Sequence, residues 1–151
     1  MWATRARRSE RAHYITAARY AKLHSLLTNA AVILSSVTAS GLFASRSQSG
    51  WYYIGFGVLG IIAAIVAGID RSQRYAEQAE RHRVAGAGWS VLVNETEELA
   101  LRRKTNGLKE SDLDGLRKQM DDITGRSPSL PEWVFKGEDL EGTYLFGSSS
   151  S

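Results

Sequence analysis

Two long uncharged segments follow each other directly in this chain, and they limit what it can fold into. No Lys, Arg, Asp or Glu occurs between Lys22 and Arg46, and none occurs between Arg46 and Asp70. The second segment, from Ser47 to Ile69, is 23 residues long. A helix of about 20 residues crosses the roughly 30 Å hydrocarbon core of a bilayer. The sequence therefore predicts two membrane-spanning helices joined by a short loop.

The expected fold class is an all-α membrane protein: a two-transmembrane helical hairpin with a long cytoplasmic helical extension and a short second cytoplasmic helix. The chain after Asp70 has no proline or turn cluster before Asn106, which predicts one continuous helix out of the second span to about Lys104. The second cytoplasmic helix is expected to begin near Ser111 and to end near Gly125.

These expectations divide the chain into six segments, of which residues 1–8 are expected to be frayed. The segments are a basic N-terminal helix at 1–24, a first transmembrane helix at 25–44, an outer loop at 45–50, a second transmembrane helix at 51–69, a cytoplasmic helical bundle or coiled coil at 70–125, and a loop and tail at 126–151.

The position of the basic residues matters more than the net charge of +3. They precede the first apolar segment and follow the second: Arg5, Arg7, Arg8, Arg11, Arg19, Lys22, Arg71, Arg74, Arg81 and Arg83. The connecting loop carries only Arg46. By the positive-inside rule, both termini face the cytoplasm. Anionic headgroups explain these cations more simply than nucleic acid does, so the expected partner is membrane lipid and not nucleic acid.

Small residues recur on one face of the second span. Gly57, Gly60, Ala64 and Gly68 follow a spacing that lets helix backbones approach closely in lipid. The same region matches G-x-G-x-x-G from Gly55 to Gly60, but it has no preceding strand. We interpret it as a helix-packing face rather than a dinucleotide site.

Polar residues mark one face of the first span. Ser25, Asn29, Ser36 and Ser40 lie four, seven and four residues apart, which places them on the same side of a helix. One interpretation is that they hydrogen-bond neighbouring helices; the other is that they line an aqueous pore. Since two helices cannot enclose a channel, a pore requires several copies in a ring, and the chain is expected to be a homo-oligomer.

The helix after the second span carries a seam of small and large residues at heptad spacing, and the next helix carries an apolar stripe. We expect these two faces to assemble the oligomer. Their members are Tyr75, His82, Trp89, Leu92, Val93, Leu99, Leu113, Leu116, Met120 and Ile123.

No constellation in the sequence supports catalysis. His13, His24 and His82 lack metal-ligand spacing, and the absence of cysteine excludes disulfides, Cys-based zinc sites and thiol chemistry. The carboxylates are expected on solvated helix faces, and there is no nucleophile-elbow motif. We expect no catalytic residue, no metal and no cofactor, and hence no enzyme.

The chain resembles the SLATT domain family. The resemblance is carried by the basic lead with Ala17-Ala18-Arg19-Tyr20-Ala21, the two apolar segments, the exit sequence Asp70-Arg71-Ser72-Gln73-Arg74-Tyr75, the segment from Trp89 to Leu99 and the short final helix. It covers about residues 9–135.

Members of that family are two-span membrane effectors associated with cyclic-oligonucleotide synthases and nucleotide-sensing domains. The resemblance implies a pore-forming effector that perforates or depolarises the bacterial inner membrane in anti-phage or inter-genomic conflict. It also implies a nucleotide-sensing or nucleotidyltransferase partner protein. The family has no catalytic residues, so the resemblance assigns none to this chain. The alternative is a non-conducting membrane anchor whose cytoplasmic helices recruit a partner.

Overall fold

The computed structural model describes residues 2–44, 50–107 and 110–136, and over these residues it contains helices and no strand. The all-α class is therefore confirmed. The helices are α1 (Trp2–Ala44), α2 (Gly50–Gln73), α3 (Tyr75–Asn106), α4 (Glu110–Arg126) and α5 (Glu132–Lys136). Most of the predicted outer loop, 45–49, and the final part of the predicted tail lie outside the described residues.

The chain divides into two compact units. We call the first the bundle; it contains residues 1–18 and 79–151, of which 2–18, 79–107 and 110–136 are described. We call the second the two-helix unit; it contains residues 19–78 and includes the long apolar stretches of α1 and α2.

In the two-helix unit, α1 and α2 run antiparallel. The ring of His24 lies 2.9 Å from the carboxylate of Asp70, whereas Gly41 lies directly against the ring of Phe56. Residue numbers therefore rise along one helix as they fall along the other. A side chain at position 41 would occupy the space of the Phe56 ring, so glycine allows this contact.

Close packing continues in the middle of the two helices. A Cβ on Gly60 would lie 3.4 Å from the Cγ2 methyl of Thr38, and the neighbouring Ala63 is buried. Small side chains on α2 thus let its backbone lie close to α1. Helices that associate mainly through van der Waals contact pack in this way.

A break at Arg74 separates α2 from α3, so the prediction of one continuous helix past Asp70 was wrong. Arg74 has φ 49°, a left-handed conformation that costs a non-glycine residue about 1–2 kcal/mol. Gln78 compensates: its side-chain amide donates to the carbonyl of Gln73 at 2.7 Å, and its backbone N–H donates to the carbonyl of Arg74 at 3.0 Å.

The core of the bundle joins three helices. Trp89, Leu92 and Val93 of α3 are buried against Leu116 of α4 and Ala6 of α1. Burying large apolar side chains of this kind contributes about 1.5–3 kcal/mol each, which makes this cluster the main apolar source of stability in the bundle.

The N-terminal residues belong to this core, so the expectation that 1–8 are frayed was wrong. Helix α1 begins at Trp2, and Ala6 is fully buried. The guanidinium of Arg117 lies 5.5 Å from the centre of a Trp2 ring, within cation–π range. The buried alanines of α1 make this possible because their small side chains leave room for α3 and α4.

Two small differences from the predicted segments lie near the end of the described chain. Helix α4 covers Glu110–Arg126, within a residue of the expected bounds. The predicted loop beyond it contains a short helix, α5, because Val134 is buried and its N–H donates to the carbonyl of Pro131 at 3.1 Å.

The antiparallel packing predicts a specific cross-link, and the cysteine-free chain is well suited to test it. Thr38→Cys combined with Gly60→Cys should form an intramolecular disulfide under mild oxidation, because the two side chains would be in contact. Thr38→Cys with Gly57→Cys is the matched control, since a side chain at 57 meets nothing within 4 Å. Loss of free thiols in the monomer is the measurement; equal cross-linking of both pairs would contradict the packing.

Candidate functional site

The polar stripe predicted on the first span lies on an exposed side of α1. Ser25, Asn29, Ser36 and Ser40 are all exposed within the chain. The Asn29 amide donates to the Ser25 hydroxyl at 3.4 Å, and the Ser36 hydroxyl donates to the carbonyl of Val32 at 2.8 Å. Both hydrogen bonds stay within α1, so the stripe presents polar groups outward rather than joining α1 to α2.

An open groove of about 460 Å³ lies beside the Ser36 and Ser40 end of this stripe. It is lined by Ser36, Val37, Ser40, Gly41 and the ring of Phe56. The two serines supply hydroxyl groups, and the other lining residues are apolar. The polar stripe therefore adjoins an indentation into which side chains of another helix could fit.

The small-residue face of α2 divides between two environments. Of its four members, Gly60 packs near α1, whereas Gly57, Ala64 and Gly68 are exposed. Nothing lies within 4 Å of a Cβ placed on Gly57 or Gly68. Within one chain the close contact is made by Gly60 and Ala63, and the rest of the face is open to another molecule.

A polar cluster joins the two helices where their apolar stretches end. His24 Nδ1 lies 3.0 and 2.9 Å from the two carboxylate oxygens of Asp70, and the Thr28 hydroxyl donates to the same carboxylate at 3.2 Å. The Asp70 side chain is mostly shielded, while that of His24 is partly exposed. The cluster satisfies the Asp70 carboxylate and holds α1 and α2 together at this end of the unit.

The residues expected to assemble separate copies lie mostly inside one chain. Trp89, Leu92, Val93 and Leu116 form the buried core of the bundle, and Leu99, Met120 and Ile123 pack against it. His82 is buried too, Leu113 is exposed, and Tyr75 stacks on Tyr20 in the two-helix unit with ring centres 6.0 Å apart. Within the chain, α1 and α4 cover the seam of α3, so the bulk of these side chains stabilise the single chain.

The bundle contains a buried histidine pair that sequence spacing did not indicate. His13 of α1 and His82 of α3 are 3% and 4% exposed, and their Nδ1 atoms lie 3.0 Å apart. One Nδ1–H must donate to the other nitrogen, so at least one ring is neutral. The two residues are 69 positions apart, and only the packing of α1 on α3 brings them together.

Burial makes the charged form of this pair unfavourable. Desolvation, together with repulsion from His82, lowers the pKa of His13 from its ordinary 6.5 to about 4. Desolvation also lowers the pKa of His82. The pair is therefore neutral at pH 7, where its hydrogen bond links α1 to α3.

Among the described residues, no three His, Asp or Glu side chains lie together in a group that could hold a metal ion. The histidine pair supplies two nitrogen atoms, and typical zinc sites need at least three protein ligands.

Comparison with family models, curated proteins and solved structures found no match to this chain.

The histidine pair predicts a loss of stability in acid. Between pH 6.5 and pH 4 the unfolded chain binds a proton at His13 that the folded chain does not, so the free energy of unfolding falls as the pH falls through this range. The expected loss is on the order of 2 kcal/mol. Thermal unfolding of the purified protein at pH 7.5 and pH 5.0 measures it. His13→Gln should reduce the pH dependence; equal dependence in wild type and His13→Gln would refute the assignment.

Proposed function

We propose that this chain is a homo-oligomeric, two-span membrane protein that forms a pore. In this proposal α1 and α2 cross the bacterial inner membrane as a helical hairpin, both termini face the cytoplasm, and the bundle lies on the cytoplasmic side. The resemblance to the SLATT family supports an effector role in nucleotide-signalled anti-phage or conflict systems.

The observation that carries the membrane assignment is the exposure of the apolar helices. One apolar window long enough to cross a bilayer lies in α1, and another lies in the helical stretch that begins with α2 at Gly50. None of the first window and 6% of the second is buried within the chain. Ile33 on α1 and Ile61 on α2 are each 62% exposed. Contact between water and an apolar surface of this size is strongly unfavourable in free energy. Lipid or another copy of the chain would cover that surface.

The polar stripe supports a pore rather than a simple anchor. Asn29 and the serines beside it face outward from α1, and their hydrogen bonds stay within that helix. An amide that faces hydrocarbon is unfavourable, while one that faces water or another polar helix is satisfied. A ring of copies that turns this side of α1 inward gives the stripe an aqueous lumen.

The open part of the small-residue face supports contact between copies. Gly57, Ala64 and Gly68 are exposed on α2, where they permit close approach of a neighbouring helix. We assign the contacts between neighbouring copies to this face, because most of the apolar residues of the bundle are used within the chain.

The proposed regulator is a partner protein of the nucleotide-sensing or nucleotidyltransferase kind that the resemblance implies, and it would raise a basal flux that the purified protein already has. The bundle, with its own buried core, is the part of the chain that such a partner would contact.

Ion flux from liposomes tests the pore. Purified wild-type protein should release potassium from loaded vesicles, and Asn29→Leu should slow release at least tenfold, because an apolar ring in the lumen excludes water. Ser35→Leu is the matched control: Ser35 is exposed on the same span but lies about 100° around the helix from Ser36.

Both variants must be recovered in vesicles in equal amount. Unchanged leakage by Asn29→Leu would refute the pore face. Vesicles that stay tight with every variant, wild type included, would favour the non-conducting anchor.

A further inference from the structure

We infer that the proposed pore prefers anions to cations, and that Lys22 is the residue that sets this preference. In a ring of copies, each chain would place one Lys22 ammonium group at the end of the lumen next to Ser25. The inference rests on the proposed function, since it takes the polar stripe as the wall of the lumen, and it adds the class of ion that passes.

Lys22 lies on the same face of α1 as the polar stripe. Successive residues of a helix are about 100° apart, and the four residues of the stripe fall within about 60° of one another. Lys22 and Ser40 are 18 residues apart, about five full turns, so their side chains leave the helix in the same direction. Lys22 also precedes Ser25 by about 4.5 Å along the helix axis. An arrangement that turns the stripe toward a lumen therefore places Lys22 at the mouth of that lumen.

The rest of this face is uncharged within the two-helix unit. From residue 19 to residue 44, α1 carries three basic side chains, those of Arg19, Lys22 and His24. Arg19 is about 90° round the helix from the middle of the stripe, and His24 is about 130° from it. His24 there contacts Asp70 at 2.9 Å. Lys22 is thus the charged residue in this part of α1 that shares the direction of the stripe.

Helix α2 packs on the other side of α1, away from Lys22. Residues of α1 that lie against α2 are about 90–170° round the helix from the middle of the stripe: His24, Thr28, Thr38 and Gly41. The carboxylate of Asp70 is held on that side by His24 and Thr28. Lys22 is exposed, and no carboxylate in the described part of the chain pairs with it. Its charge is therefore accessible to an ion on the stripe side.

The direction of the stripe decides whether the partner of Lys22 is an ion in the lumen or a lipid headgroup. A cation on the bilayer-facing side of a helix contacts anionic headgroups. Lys22, however, shares its direction with Asn29, whose amide is unfavourable against hydrocarbon. A ring that gives Asn29 access to water also turns Lys22 away from the surrounding lipid.

A ring of like charges at one level of a pore selects ions by the sign of their charge. The other polar groups of the stripe are hydroxyl and amide groups, which bear no net charge and interact with ions of both signs. Several ammonium groups at the mouth raise the local concentration of anions and repel cations, with an effect on the order of tenfold. Potassium remains permeant at a preference of this size, so its release from vesicles stays measurable.

Measurement of the zero-current voltage in planar bilayers tests the inference on the full-length protein. Under a KCl gradient, the wild type should show a chloride-to-potassium permeability ratio of about ten. Lys22→Gln should bring the ratio close to unity, because the remaining groups of the stripe do not distinguish the two ions. Lys22→Glu should reverse the preference and favour potassium.

Arg71→Gln separates a ring in the lumen from a general effect of surface charge. Arg71 is an exposed cation at the same end of the two-helix unit, but it belongs to α2. Its substitution removes the same charge from outside the stripe face. The permeability ratio of this variant should stay within about twofold of the wild-type ratio, because salt screens a charge outside the lumen.

Chemical replacement of the charge makes the result independent of differences in folding between variants. The chain has no cysteine, so Lys22→Cys introduces a single reactive thiol. A cationic methanethiosulfonate reagent should restore the preference for chloride. An anionic reagent of similar size, applied to the same preparation, should produce a preference for potassium.

Three outcomes would overturn the inference and leave the pore in place. They are conduction by the wild type without preference for chloride, the same change of ratio in Lys22→Gln and Arg71→Gln, and the same ratio after the two reagents. Bilayers that conduct no ions with any variant, wild type included, would overturn the pore and its anion preference together.

Discussion

Uncovered apolar surface on α1 and α2 is the constraint on which the rest of this structure depends. A soluble helical protein of this length would bury such side chains against its other helices, but here the bundle uses its own residues for that purpose. The apolar stretches pack on each other along one side, and among the described residues 0% of the first apolar window and 6% of the second are buried. Whatever covers that surface determines where the protein resides and how it assembles.

Small residues make the limited packing between α1 and α2 possible. Gly41 accommodates the Phe56 ring and Gly60 lies close to Thr38, so α1 and α2 associate through backbone proximity rather than large interlocking side chains. In the bundle, Gly86 serves the same purpose, since a Cβ there would lie 3.2 Å from the ring of Tyr14. A polar pair adds a specific contact between helices in each unit: His24 with Asp70 in the two-helix unit, and His13 with His82 in the bundle.

The sequence was sufficient to predict the helices whose signals are local. The two apolar stretches follow from charge and length, and the bounds of α4 follow from its capping residues and its apolar stripe. The break at Arg74 could not be predicted in the same way, because neither glycine nor proline marks it. Its left-handed backbone depends on hydrogen bonds made by Gln78 and on packing that sequence spacing does not record.

Contacts between distant segments account for the other differences. The arginines of residues 1–8 predict a frayed end, yet Ala6 among them is buried against α3 and α4. The spacing of the apolar seam of α3 predicts a packing face, but spacing does not identify the helices of the same chain that pack on it. No spacing rule pairs His13 with His82, because their contact follows only from the way α1 packs on α3. For the polar stripe, sequence and structure agree on its location on one exposed side of α1.

The claim that the chain crosses the bilayer twice with both ends in the cytoplasm has a direct test. Single cysteines replace Ser47 in the connecting segment or Ser149 in the C-terminal tail of the otherwise cysteine-free chain, and intact cells receive a membrane-impermeant maleimide. The account predicts labelling at position 47 in intact cells and at position 149 only after lysis. Labelling of position 149 in intact cells, or recovery of the protein in the soluble fraction without detergent, would contradict it.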